Sequence, residues 1–338
     1  MAKGKSRLDD LLVERGLAED RDTAQRRIMA GDVLVDGQTI TQPATRVPAS
    51  AAVRLKDFHP AAKPFSCGDK AQDRTRVDEL ALEPGPPWLG MGTRGLPPEV
   101  WLLPDADRDR DLRWKAEILA AHPEDAFAAL DSPAVDTASR EVLALIVAAT
   151  GGTPDPDLHP LDAAGRLVQE DLCLLIDRDG APHLDAASLC FPSYWRLRDK
   201  LGRPLAAVHE PVAHYADELA DRVDRFLARL RPDRPVWRRN WSIHDDPTYW
   251  LPEPTPPRPV EPPEGLWLRS ERQTLRRLSA SGAILFTIRT QQVPLSVLDE
   301  RPDIGHRMAA AISAWSPALV AYKGGHGALA AVDWPRTR

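Results

Sequence analysis

Apolar and polar positions alternate along this chain in two textures. In SRLDDLLVERG, Leu8, Leu11 and Leu12 recur at helical spacing and Gly16 is placed to stop the helix. DRDTAQRRIMAG repeats the pattern with Ala24 and Ile28 on one face and Gly31 at its end. VLVDGQTI then reads as two short strands about an Asp36-Gly37 turn, a strong local hairpin signal. Later segments are longer. Helical periodicity marks RDLRWKAEILAAH, VDTASREVLALIVAA and ADELADRVDRFLARL, where Leu219, Val223, Phe226, Leu227 and Leu230 make one apolar face. DLCLLID, PVWRRNWSI and AILFTIRT read as strands, set at irregular distances without a βαβ alternation. The expectation is an α+β chain: a small helix-helix-hairpin domain, then a mainly antiparallel sheet with flanking helices.

Composition fits that division. With 338 residues, 43% hydrophobic and 28% charged, the chain has material for two cores. The seam falls near residues 57–66, giving a first domain at 1–57, a linker at 58–66 and a second domain at 67–338. No run approaches the ~18 apolar residues of a membrane helix, and MAKGKSRLDD lacks a signal-peptide core, so a cytoplasmic protein without membrane contact is expected. Cys67, Cys173 and Cys190 are too few and scattered for a disulfide framework or an iron-sulfur cluster and read as reduced thiols. A net charge of -6 argues against a surface that coats nucleic acid, leaving room only for a small basic module. The 33 prolines include LPEPTPPRPVEPPE at 251–264, which reads as an extended surface connection.

The first domain, through RLDDLL, GLAEDRDTAQRRI and AGDVLVDG, resembles the S-four (alpha-L) RNA-binding module of a ribosomal protein, pseudouridine synthases and the hemolysin-A type of rRNA methyltransferase. That resemblance implies a structured RNA partner, ribosomal RNA being one candidate. Lys3, Lys5, Arg7, Arg21, Arg26 and Arg27 would face its phosphates, which supply most sequence-independent affinity. Against this stand ten Lys and Arg to nine Asp and Glu over residues 1–57, and Asp20 where relatives usually carry serine. In the family that resembles this module most a methyltransferase follows, yet no glycine-rich strand-to-helix loop for a methyl donor follows here.

Two short patterns carry less than they suggest. GMGTRG at 90–95 satisfies GxGxxG, but prolines precede it in place of a strand and Leu96-Pro97-Pro98 follow in place of a helix, so a loop is expected. HEPVAH is similar to the zinc-protease HExxH, but His214 stands five residues after His209 and Pro211 prevents the helix that would align both imidazoles. From the residues alone, such a histidine is more often structural than a ligand.

Five further words, VQEDLCLL, CFPSYWRLRDKLGRPLAAVHEPV, RRNWSIHDDP, LRSERQTLRRLSASGAILFTIRT and AYK, occur in that order. Together they resemble the haem-dependent oxidative N-demethylase alpha-subunit-like family from about Pro64 to Lys323. The resemblance implies a PAS-like α/β domain holding haem b and its iron. It further implies oxidative removal of a methyl group from a small amine with oxygen, and a separate flavin and iron-sulfur reductase as partner. Carried over by position, His209 in AVHEPV is implied as the proximal iron ligand. His214 is less secure, because Ala213 stands where the family tends to have a second proline. Haem propionates need cationic partners. Of Arg238, Arg239, Arg272, Arg276 and Arg277, the choice falls on Arg239 and Arg272, with pairing to Asp245, Asp246 or Glu271 as the structural alternative. An amine substrate is a cation at neutral pH, so Glu170 and Asp171 are the expected catalytic carboxylates, a cap or structural role being the alternative.

The implied chemistry ends in formaldehyde and a shorter amine. Serine for proline in RLSAS, Gln291 for an aromatic and Ala213 for proline depart from the family pattern, and position 291 is expected to alter the pocket. Two other functions stay open at this level: a haem or oxygen sensor coupled to RNA, and an RNA-associated structural factor without haem.

Overall fold

In a computed structural model, residues 5–18, 20–29, 33–55, 80, 92–210, 219–253 and 265–323 are described. The chain divides into two compact units between residues 59 and 60. The proline run from 254 to 264 lies outside the described residues, as does the whole of the expected linker at 58–66.

The first unit runs β1 (Lys5–Arg7), α1 (Leu8–Glu14), α2 (Arg21–Met29), β2 (Val33–Val35), β3 (Gln38–Ile40), β4 (Arg46–Pro48) and β5 (Val53–Leu55). The two helices and the hairpin match the apolar pattern. Leu8, Leu11, Leu12, Ala24, Ile28 and Val33 close on Val47 as one core. Asp36 and Gly37 both take positive φ, +49° and +84°, which the two-residue turn requires. Asp20 serves where serine was expected, its carboxylate accepting the Thr23 amide at 2.7 Å at the entrance of α2. β4 and β5, three residues each, are too short to show a period of two. At the centre sits Asp9, fully buried. It accepts from Arg7 at 2.7 and 2.9 Å, from Arg21 at 3.3 Å and from Gln25 at 3.0 Å, tying β1, α1 and α2 together. The Arg7 hydrogen bond, more than any other cause, holds the Asp9 carboxyl well below the usual carboxylate range.

The second unit is built on β6 (Arg94–Gly95), β7 (Phe127–Ala129), β8 (Asp171–Arg178), β9 (Ala181–Ser188), β10 (Val236–His244), β11 (Trp267–Arg277) and β12 (Ile284–Pro294). They form one sheet in the order β6-β10-β11-β12-β8-β9-β7, antiparallel throughout. Helices flank it: α3 (Arg108–Ala121), α4 (Pro133–Thr150), α5 (Pro160–Gly165), α6 (Leu205–Val208), α7 (Ala220–Arg229), α8 (Pro302–Ser313) and α9 (Pro317–Tyr322). This is the α+β arrangement expected from sequence. Of the GMGTRG stretch, Arg94 and Gly95 pair at the sheet edge with Trp237 and Val236.

Strand alternation gives the sheet two different faces. On one, Leu172, Leu174 and Leu285 pack under Val135, Ala138, Val142 and Ile146 of α4. That helix starts at Ser132, whose hydroxyl accepts the Val135 amide, and stops at Gly151 with φ +67°. Each such Leu, Val or Ile side chain contributes about 1.5–3 kcal/mol on burial. On the other face, Cys173, Leu175, Leu184 and Ile288 lie under Leu205, Val208 and Leu227.

A buried charge cluster fixes the segment that roofs this second face. Lys115 of α3 donates to the carbonyls of Val168 (3.1 Å) and Glu170 and lies 3.7 Å from Asp171. Asp171 accepts the backbone amides of Cys190 and Phe191, both at 2.8 Å. Arg269, on β11, donates to the carbonyls of Phe191 at 2.7 Å and Pro192 at 3.2 Å. Both polar edges of residues 190–192 are therefore gripped. Burial pushes the Asp171 carboxyl up; Lys115, the two amides and Arg269 oppose that shift.

Two expectations follow from these contacts. Asp171→Ala leaves Lys115 and two amides without their carboxylate and is expected to cost about 3–5 kcal/mol in urea unfolding followed by tryptophan fluorescence; an unchanged midpoint would remove the clamp's structural role. For Asp9 the pKa is lowered by folding, so its stabilisation is present above the unfolded value near 4 and is lost as pH falls toward the folded value. Hydrogen exchange, corrected for intrinsic rates, is expected to show protection of α1 and α2 falling below about pH 4 in the parent. In Asp9→Asn, that protection is expected to be weak already at neutral pH.

Candidate functional site

Between the second face of the sheet and the roof lies a cavity of about 840 Å³, inside the range of about 300–1,000 Å³ usual for ligand and cofactor sites. Register explains its lining. Asn240 stands opposite Glu271, Gln273 opposite Ile288, and Phe286 opposite Cys173, so these side chains share one face across β10, β11, β12 and β8. The β8–β9 end is apolar, with Cys173, Leu175, Leu184, Phe286 and Ile288. The β10 end is polar, with Asn240, Ser242, His244, Glu271 and Gln273.

His209 lines the cavity at the C-terminal end of α6. Leu205 and Val208 anchor that short helix in the apolar cluster around Leu175 and Leu184. The imidazole Nδ1 lies 2.9 Å from the Leu205 carbonyl. Because a carbonyl only accepts, Nδ1 carries the proton and Nε2 the lone pair. Burial lowers the His209 pKa to about 4, with Lys200 and Arg238 adding to it and the Leu205 bond opposing it. The ring is neutral at ordinary pH.

Cations border the roof. Arg196, Lys200 and Arg203 all line the cavity. Lys200 donates to the Val208 carbonyl at 2.7 Å, and burial lowers its pKa to about 8. Arg203 reaches Glu210 at 3.5 Å, and Arg196 pairs with Glu253. At the polar end, Lys323 donates to Asn240 at 2.7 Å and to the Trp241 carbonyl at 2.9 Å; burial brings its pKa to about 7. Among the described residues no group of three or more His, Cys, Asp or Glu side chains is arranged to hold a metal ion.

The other residues singled out from sequence are placed differently. Glu170 accepts the Leu103 amide at 3.0 Å and Asp171 belongs to the clamp; neither lines the cavity. Arg239 and Arg272 point to the opposite face, where they stand directly across from one another in register. Arg239 donates to Ser270 and Gln291, and Arg272 to the carbonyls of Val100 and Trp101. Gln291 lies on that face too, donating to Asp105 at 3.1 Å, so the expectation that it shapes the pocket is corrected by strand alternation. What sequence reasoning missed is β11 as a strand; its parity would have put Glu271 and Gln273 on one side and Arg272 on the other.

In the first unit, Lys5 is exposed on β1 and Arg27 half-buried on α2. Arg7 and Arg21 are ion-paired with Asp9 and Asp10. Lys3, Ala213, His214 and the side chain of Arg26 lie outside the described residues.

Comparison with known proteins agrees with this division. Over 56 residues, 17% of this chain, the sequence is 43% identical to the Bacillus subtilis (strain 168) protein named "Putative rRNA methyltransferase YqxC", of which the match spans 20%. The S4 domain family matches residues 6–53. The family described as haem-dependent oxidative N-demethylase, alpha subunit-like matches residues 148–332 and so takes in the described strands and roof that line the cavity. With more than half of its residues inside that match, the chain belongs to the haem-dependent oxidative N-demethylase alpha subunit-like family and carries an S4 domain ahead of it.

Proposed function

We propose that the second unit binds haem b in this cavity, with His209 as the proximal ligand, and oxidatively demethylates a small N-methylated amine. The first unit is assigned to binding structured RNA. The observation that carries the haem assignment is the tautomer of His209. Iron-ligating histidines donate their other ring N–H to a carbonyl or carboxylate, and His209, which lines the cavity, has Nδ1–H on the Leu205 carbonyl. The rest of the cavity suits the group. Its volume, its aliphatic and aromatic lining at the β8–β9 end and its basic border fit a flat apolar macrocycle with two carboxylates. Arg196, Lys200 and Arg203 replace Arg239 and Arg272 as the residues that would hold the propionates, because they border the cavity and the other two do not.

Bound haem supplies the oxygen activation and electron transfer that no side chain of the chain can supply. The protein binds, orients and keeps water out. Glu271 takes over the part first given to Glu170 and Asp171: it lines the polar end, and its carboxylate, held by Gln273 at 2.9 Å, can accept the N–H of a cationic amine. Lys323 and Asn240 beside it position polar substrate atoms. Electrons come from a separate flavin and iron-sulfur reductase, since the sequence offers neither a cysteine cluster nor a dinucleotide loop.

Hemin titration of the full chain is expected to give a Soret band that His209→Ala weakens or shifts and that added imidazole restores. A chain that stays colourless with hemin, or a band indifferent to His209→Ala, would falsify the ligand assignment. With haem bound and a reductase supplied, formaldehyde release from an N-methylated amine tests the activity.

A further inference from the structure

One part of the cavity wall is a row of hydrogen-bonded side chains. Ser242 and His244 lie on the same face of β10, and Ser242 Oγ is 2.8 Å from His244 Nε2. On the far side of the same ring, His244 Nδ1 is 3.1 Å from the Tyr194 hydroxyl. All three residues line the cavity. Both ring nitrogens of one buried imidazole therefore join two hydroxyls into a continuous chain of hydrogen bonds.

The chain is held in place from outside. Tyr194 has φ +60°, a backbone setting that is costly for a residue with a side chain. Its amide donates to the Leu251 carbonyl at 2.6 Å, and its ring stacks on His244 with centroids 5.1 Å apart and planes 11° apart. The clamp of Asp171 and Arg269 fixes residues 190–192 just ahead of it. Such a setting survives only where the surroundings impose it, and what it achieves here is to bring the Tyr194 hydroxyl to Nδ1. Burial, with Arg269 adding to it, lowers the His244 pKa to about 3, so the ring is neutral, with one N–H and one lone pair. A neutral imidazole between two hydroxyls passes a proton by changing tautomer without acquiring charge.

The wall also stands away from His209. α6, with His209 at its end, packs at the β8–β9 end of the cavity, whereas Ser242 and His244 stand on β10 at its polar end.

We propose that Ser242, His244 and Tyr194 form a proton relay between water and a weakly acidic ligand that the cavity would bind beside its cofactor. The proposal rests on haem binding in this cavity. In one direction, a weak acid bound there gives its proton to Ser242 Oγ as Ser242 gives its own to Nε2. Nδ1 gives its proton to the Tyr194 oxygen, and Tyr194 gives its own to water. Every oxygen in the chain that gains a proton loses one, His244 passes from the Nδ1–H to the Nε2–H tautomer, and the wall keeps its charge. The reverse sequence delivers a proton from water to the cavity.

Cyanide is the probe, because hydrogen cyanide must lose its proton to bind ferric haem as the anion; carbon monoxide, which binds the ferrous form without proton loss, is the control. In the hemin-loaded full chain, Ser242→Ala, Tyr194→Phe and His244→Gln are each expected to slow cyanide association on the order of a hundredfold while carbon monoxide association stays within about twofold. Ser242→Ala and Tyr194→Phe remove only a hydroxyl, so they test the relay even where His244→Gln disturbs the buried site. Cyanide rates equal to the parent's, with the Soret band intact, overturn the relay alone. A parallel loss of both rates makes the three residues a structural wall and overturns it as well. Absence of a Soret band in the parent overturns haem binding and, with it, the assignment of these residues to a ligand beside the cofactor.

Discussion

The grip of Asp171 and Arg269 on the backbone of residues 190–192 is the interaction from which the cavity takes its form. One side chain accepts two amides and the other donates to two carbonyls, so a short stretch without regular pairing is held on both of its polar edges. Lys115 compensates the carboxylate from behind while holding the chain just before β8. Charges this deeply buried destabilise unless each is paired and hydrogen-bonded, and here they are supported by one another and by main-chain dipoles. From this fixed point the chain runs on through Tyr194, Trp195, Arg196 and Lys200, every one of which lines the cavity.

The second constraint is the period of two along the strands. β10, β11 and β12 each carry polar residues on both faces, which is unusual for central strands. The face toward α3 accommodates Arg239, Arg272 and Arg289 in register, and Arg289 there pairs with Asp105 and Asp111 at 2.9 and 3.0 Å. The opposite face presents Asn240, Glu271 and Gln273 to the cavity. One-residue parity separates an arginine of the buried polar layer from a residue that faces the cavity.

That parity explains how much was legible in the sequence. The helices Arg108–Ala121 and Pro133–Thr150 and the strands β8, β10 and β12 carry enough periodic apolar residues to announce themselves. β11 does not: WLRSERQTLRR has polar residues on both faces, because one meets the cavity and the other a buried polar layer, so no alternation is visible. β9, with Ala181, Pro182 and Asp185, has weak strand propensity and owes its pairing to neighbours on both sides. His209 was singled out through resemblance to a family, and the structure places it in the cavity lining. Its tautomer, and the meeting of Tyr194 with His244 across fifty positions of chain, depend on tertiary placement that no local pattern encodes. The first unit was more readable, because its helices and hairpin are local; the use of Arg7 and Arg21 to hold Asp9 was not.

The central claim is that the sheet face between α6 and β10 holds haem through His209. A crystal structure of the chain grown with hemin, with anomalous scattering recorded at the iron edge, tests it most directly. The account predicts a single iron peak inside the cavity, in bonding contact with His209 Nε2 and with basic residues of the roof on the propionates. An iron peak bound to another side chain, or hemin lying outside the cavity, would contradict it.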